Sequence, residues 1–230
     1  TTDFGKTWQK GAPFKEFLDR LPDILAGSHL KTVISAIVDA FQKEKTIVFA
    51  MGAHVIKVGL TPIVIDLMER GIITAVAMNG AGIIHDLELA MAGKTSEDVS
   101  ASLGDGTFGM AQETGAFLCD AIGLAGEKSA GLGETIGSAI IEKRLPYSEH
   151  SILASGARLG IPVTVHVAFG TDTLHMHPGF DANAAGEATH RDFRTFASVI
   201  GTLEKGVYLN VGSAVILPEV FLKAVTLARN

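Results

Sequence analysis

Four short apolar runs, none of them alternating with polar residues, constrain the fold of this chain more than any other feature. They are Thr46-Ile47-Val48-Phe49-Ala50-Met51, Ile72-Ile73-Thr74-Ala75-Val76-Ala77-Met78, Ile161-Pro162-Val163-Thr164-Val165-His166-Val167-Ala168 and Gly206-Val207-Tyr208-Leu209-Asn210-Val211-Gly212. Continuous apolar strands are buried on both faces, as in parallel sheets. Long segments with helical spacing separate the runs, so the expected class is α/β, a parallel sheet with helices on both faces. Each run ends in small or polar residues: Gly52-Ala53-His54, Asn79-Gly80-Ala81-Gly82, Gly170-Thr171-Asp172-Thr173 and Gly212-Ser213. These turns fall at the carboxyl ends of the strands, where ligands bind in open α/β sheets.

The second turn carries most of the functional signal. Asn79-Gly80-Ala81-Gly82-Ile83-Ile84-His85-Asp86 joins a strand to a helix whose first backbone N–H groups are free to take a phosphate or carboxylate. Read without ligand, the same residues make a tight connection.

Composition narrows the function classes. With 230 residues, 47% hydrophobic and 19% charged, the chain can bury a large core, and a single domain over 1–230 is expected. A net charge of −6 and the absence of any Lys/Arg cluster argue against a nucleic-acid or acidic-membrane partner and leave a small polar or cationic ligand. No apolar stretch reaches the roughly 18 residues of a spanning helix. No basic-then-apolar export signal opens the chain, and the expected location is cytoplasmic. The one cysteine, Cys119, excludes an internal disulfide and lies at helical spacing beside Phe117 and Ile122, as a core residue would. Positive mean hydropathy with so little charge points to apolar surface hidden by another subunit, hence a homo-oligomer.

Residues 1–45 read as an accessory helical layer, with helices over Phe14 to Leu21 and Leu30 to Lys45. Val55 to Arg70 and Ile83 to Met91 read as helices following the first two strands. A mainly helical insertion runs over 93–160: a loop at Leu103 to Gly109, a helix over Met110 to Leu124, a flexible Gly-rich stretch at Gly126 to Gly133, and helices over Glu134 to Lys143 and Ser148 to Leu159. Asp105 or Thr107 is a candidate cap for the helix that follows its loop.

Histidines and aspartates gather at the strand ends. His54, His85 and Asp86 fall at two adjacent ends, where His85 could act as a general base oriented by Asp86; cofactor contact and a plain structural role are equally open for His85, and helix-dipole compensation for Asp86. His166, Asp172, His175 and His177 fall close together, and His175-Met176-His177 in an extended segment would turn both imidazoles to one side. They could hold Zn²⁺ or another divalent metal and activate water, or be hydrogen-bonded residues lining a cleft.

In order and spacing, the stretch from Ile47 through Asp86, then Ile161-Pro162-Val163 with Gly170-Thr171-Asp172-Thr173, then Thr189 to Lys223 with Leu209-Asn210-Val211-Gly212-Ser213, resembles the deoxyhypusine synthase family. The resemblance implies a Rossmann-like sheet, NAD as cofactor, a homotetramer, and a transferase acting on an amine or polyamine. NAD would then contact Gly52, Ala53, His54, Asn79, Gly80, Ala81, Gly82, Asp86, Thr171, Asp172, Asn210, Gly212 and Ser213, with His85, His175 and His177 as candidate catalytic residues. The resemblance also places the loop around Asp105-Gly106-Thr107 near a neighbouring subunit's cleft.

The chain departs from that family where the chemistry lies. The family's Glu-Ala-x-Ser-Trp-Gly-Lys context, whose lysine forms an imine with the transferred group, has no counterpart, and the sole tryptophan is Trp8. The family's histidine falls near Leu217-Pro218, and its polyamine-holding acid near Met176 or His177. Two other readings stay open: a metal-dependent hydrolase using His166, Asp172, His175 and His177, and a non-catalytic nucleotide-binding assembly protein. Titratable groups gathered at the ligand-binding edge weigh against the second.

Overall fold

The computed structural model describes residues 3–95, 104 and 106–230. Two helices lead in, α1 (Phe14–Arg20) and α2 (Leu25–Gln42). Among the described residues four strands follow: β1 (Ile47–Met51), β2 (Ala75–Asn79), β3 (Val163–His166) and β4 (Val207–Val211). All neighbours pair in parallel, in the order β3-β2-β1-β4. The chain is thus a Rossmann-like α/β fold, with the strand order of the first four strands of a doubly wound sheet and a switch point between β1 and β4.

Alternation along the strands sorts the two faces. Val76 and Met78 of β2 turn to one side, where they pack with Ile83, Leu87, Leu118 and Ile136. This larger core lies under α3 (His54–Lys57), α4 (Thr61–Glu69), α5 (Gly80–Ala92), α6 (Gln112–Lys128), α7 (Leu132–Glu142) and α8 (Ile152–Leu159). Ala75 and Ala77 turn the other way, and their small size admits Phe196 of α9 (Ala182–Gly201) and Leu217 of α10 (Ile216–Arg229).

Several elements differ from the sequence expectation: the helix expected over Ser148 to Leu159 is a 3₁₀ turn at Ser148–His150 followed by α8, and β4 is only partly buried. The helix expected over Val55 to Arg70 is two, because Gly59 takes a left-handed φ of 79° and Pro62 then sits in the first turn of a new helix. The stretch Gly126 to Gly133 is no flexible linker. Helix α6 runs through Gly126 to Lys128 and stops at Ser129, and α7 starts at Leu132. Of the two expected caps, Asp105 lies outside the described residues, and Thr107 is not the cap, since the N-cap of α6 is Ala111, without a side-chain cap.

β3 is an edge strand, and side chains of α9 take the place of the missing neighbour. Thr189 donates to the Val165 carbonyl at 2.8 Å and accepts from the Val167 N–H at 3.0 Å. Asp192, 3% exposed, accepts from the Val165 N–H at 2.9 Å and from the Gly133 N–H at 3.1 Å. That second bond caps the start of α7. Gly133 must lack a side chain here, since a Cβ would lie 1.6 Å from the Val163 carbonyl oxygen.

Asp86 makes the same kind of joint on α5. It is fully buried and accepts from the Ser151 hydroxyl, from the Ile152 N–H at 2.8 Å and from the Leu153 N–H at 3.2 Å, which are the free donors at the start of α8. It does not face a cleft, so its expected cofactor contact is replaced by a structural one.

Burial raises the pKa of both carboxyls, to about 6 for Asp86 and about 7 for Asp192. The folded chain holds these protons more tightly than the unfolded one. Their stabilising contribution is therefore complete below about 3.8 and is lost as pH rises through about 6 and about 7. His166 opposes this: burial lowers its pKa to about 4, so its contribution falls away as pH drops from 6.5 to about 4. Two outcomes follow. Asp86→Ala strands three donors and is expected to lower unfolding free energy by about 3 kcal/mol or more, read by urea denaturation. Relative to Asp192→Asn, the parent should gain melting temperature as pH is lowered from 8 to 5; parallel curves would show that Asp192 does not titrate in this range.

Candidate active site

A cavity of about 220 Å³ opens at the carboxyl end of the sheet, between the start of α5, the first turns of α6 and the Thr171–Leu174 segment. Helix α5 supplies Ile84, His85 and Glu88 to it, spaced so that they share one face. The preceding residue of the sheet-facing side, Ile83, is fully buried, and Asp86 points into the protein. One helix thus carries chemistry outward and structure inward.

The sequence paired His85 with Asp86, but the structure pairs it with Glu88. His85 Nδ1 lies 2.8 Å from Glu88 Oε2, and both side chains are mostly buried in the cavity wall. Glu88 carries no motif signal beyond its i, i+3 spacing. His54 is exposed at the start of α3 and does not line the cavity; Lys57, one turn on, does.

The start of α5 is closed by the protein's own groups. Asn79 Oδ1 accepts from the Gly82 N–H at 3.2 Å, and the Asp172 carboxyl lies against the first residue of the helix, Gly80. A Cβ on Gly80 would sit 2.1 Å from Asp172 Oδ2, so glycine there makes room for that carboxyl rather than for a ligand phosphate. Asp172 Oδ2 is buried at the cavity wall without a hydrogen-bond partner. Burial raises the Asp172 pKa, while the charge of His175 and the hydrogen bonds from Thr171 and Ala81 pull it down.

The four residues considered as metal ligands are not brought together. Among the described residues, no group of three or more His, Cys, Asp or Glu is placed to hold a metal ion. His166 packs edge-on against Phe196, with ring centres 5.2 Å apart, and its Nε2 lies 3.0 Å from the Thr164 hydroxyl. His175 is wedged between Phe169 and Phe180, and its Nδ1 accepts from the Gly170 and Asp172 N–H groups. That segment is a 3₁₀ turn (Thr173–Met176), not an extended strand, so His175 and His177 diverge. Asp172 and His177 line the cavity, whereas His166 and His175 do not. The sequence missed Glu88, Thr114 and Gly115 as lining residues, and Gly109, which packs on Thr173.

At the switch point, the Gly52 N–H donates to the Val211 carbonyl at 2.9 Å, which brings Gly52-Ala53-His54 against Gly212-Ser213. Asn210 donates to the Ser213 carbonyl, and the Ser213 hydroxyl accepts from the Leu217 N–H to start α10. A second cavity, of about 310 Å³, lies beside the edge of β3, with Asp192 in its wall. No helix among the described residues is long and apolar enough to cross a membrane.

No family model matches the chain, and no curated protein matches it. Among solved structures it is similar to ArgZ, an arginine dihydrolase from the cyanobacterial ornithine-ammonia cycle, with 15% identity and a TM-score of 0.53 over 96% of this chain and 26% of that one. It also matches a candidate deoxyhypusine synthase from Entamoeba histolytica at 16% identity and TM-score 0.46, over 70% of this chain and 63% of that one. A conserved protein of provisional LOR/SDH type from Methanococcus maripaludis S2 matches at 14% identity and TM-score 0.45, over 100% of this chain and 75% of that one. This chain spans about a quarter of the arginine dihydrolase's length. The likeness is one of fold, at low identity.

A Cβ on Gly115 would lie 2.2 Å from His177 Cδ2. Gly115→Ala is therefore expected to displace the His177 ring while the fold persists, read as shifts of the His177 ring resonances with an unchanged circular dichroism spectrum.

Proposed function

We propose that this protein is an enzyme acting on a small amine or polyamine-type substrate, with NAD as its cofactor and a transfer reaction as its chemistry. The observation that carries this reading is the cavity at the carboxyl end of the sheet, where Glu88 and the unpartnered Asp172 Oδ2 share a wall with His85 and His177. Carboxyl groups in a partly dry cavity favour a cationic ligand, and an ammonium would supply the hydrogen bond that Asp172 Oδ2 lacks.

The fit to NAD differs between the turns. In the Asn79–Gly82 turn the Gly82 N–H is taken by Asn79 and the space over Gly80 is filled by the Asp172 carboxyl, so the turn offers no ready phosphate seat. The switch-point turns suit the cofactor better, because His54 and Gly212 are exposed and lie where doubly wound sheets bind dinucleotides. Gly52, Ala53, His54, Gly212 and Ser213 would hold NAD there, and its nicotinamide would supply hydride chemistry. Exposed Leu30, Val33, Val38 and Phe41 along α2 support the homo-oligomer expected from composition.

Titration calorimetry with NAD, and separately with 1,4-diaminobutane, tests the reading. The parent is expected to bind both. His54→Ala, at an exposed position, should weaken NAD alone, and Glu88→Gln should weaken the diamine alone, by roughly tenfold for a lost charge-assisted contact. A folded parent that binds neither overturns the proposal.

A further inference from the structure

The two imidazoles in the cavity wall are held by different ring atoms. At His85, Nδ1 faces a Glu88 oxygen at 2.8 Å. A carboxylate only accepts, so the neutral ring carries its proton on Nδ1 and leaves Nε2 as a bare acceptor. At His177 the roles reverse. Its Nδ1 accepts from the Gly179 N–H at 3.2 Å and lies 3.4 Å from Cys119 Sγ. The backbone N–H can only donate, so the neutral His177 ring carries its proton on Nε2. That Nε2–H lies against Gly115 at the cavity wall, 2.7 Å from where a Cβ would stand. Burial raises the Cys119 pKa, as does the charge of Asp120, so the sulfur remains a thiol and a second donor to Nδ1.

We propose that His85 and His177 form a pair of fixed, opposite tautomers, with His85 Nε2 as proton acceptor and His177 Nε2–H as hydrogen-bond donor to one bound substrate. The proposal rests on the cavity being the active site and deepens that reading by naming the substrate's shape: a nitrogen or oxygen that loses a proton, beside a C=O or C=N group. In an addition step the nucleophile's heteroatom bonds to that carbon while His85 Nε2 takes its proton. The π electrons of the double bond move to its oxygen or nitrogen, and His177 Nε2–H stabilises the charge that develops there. The His85 imidazolium then returns the proton to that atom, so protons balance and no oxidant is required. His177 keeps its Nε2 proton throughout, because a donated hydrogen bond need not transfer the proton. Cys119 acts as a positioning residue, through Nδ1 of His177.

Long-range proton–nitrogen correlation spectra of the full chain, labelled with ¹⁵N-histidine at pH 8, read both tautomers directly, with His85→Gln and His177→Gln assigning the signals. The expected result is Nδ1–H for His85 and Nε2–H for His177; the reverse assignment, or rapid exchange at either ring, overturns the proposal. Cys119→Ala should shift the His177 Nδ1 signal while the Gly179 N–H keeps the Nε2–H tautomer, and should leave His85 unchanged. Acetamide, which offers both an N–H and a C=O, should shift both Nε2 signals, and either Gln variant should bind it about threefold to tenfold more weakly. Correct tautomers that ignore acetamide would overturn the substrate-facing role. Because none of these readouts uses NAD or a diamine, failure of the cofactor reading is separable from failure of the histidine pair.

Discussion

Asp192 is the joint on which three parts of this molecule close. Its buried carboxyl accepts N–H groups from the outer edge of β3 and from the start of α7, and it does so from the middle of α9. An edge strand and a helix start both present backbone donors that nothing regular can satisfy. One carboxyl answers both, and Thr189 completes the edge. Asp86 repeats the device between α5 and α8. In a molecule with little charge, the buried carboxyls are thus spent where helices must meet without water.

This joinery also explains the position of the site. Asp86 anchors α5 from one side, which leaves the neighbouring His85 and Glu88 on the cavity side with a fixed orientation. Asp172 fills the start of the same helix and turns a candidate phosphate seat into part of the cavity wall. The helix dipole that would draw a ligand anion draws a carboxyl of the protein instead. The cavity wall thereby carries the Asp172 carboxyl as well as that of Glu88, beside Lys57.

The strands were legible because burial on both faces demands uninterrupted apolar residues, and Val48, Val76 and Val165 mark such runs without ambiguity. The turns after them were legible from Gly and small polar residues, and their gathering at one sheet edge follows from parallel pairing. Asp192 gave no signal, since an aspartate within a helical stretch reads as solvent-facing and only the fold reveals the donors that surround it. The histidines misled for a related reason: closeness in sequence suggested a shared ligand, whereas a 3₁₀ turn sends His175 into an aromatic cluster and His177 to the cavity.

By itself the sequence determined the α/β class, the parallel sheet and the end of it where the Gly-rich turns gather, because these depend on hydrophobic periodicity and backbone stereochemistry, which are local. Only the tertiary structure decided which polar residues face inward to satisfy buried N–H groups and which face the cavity. Glu88 rather than Asp86 became the partner of His85, and Cys119 became the neighbour of His177. Those assignments turn on through-space hydrogen-bond geometry between elements far apart in the chain, and no local pattern encodes it.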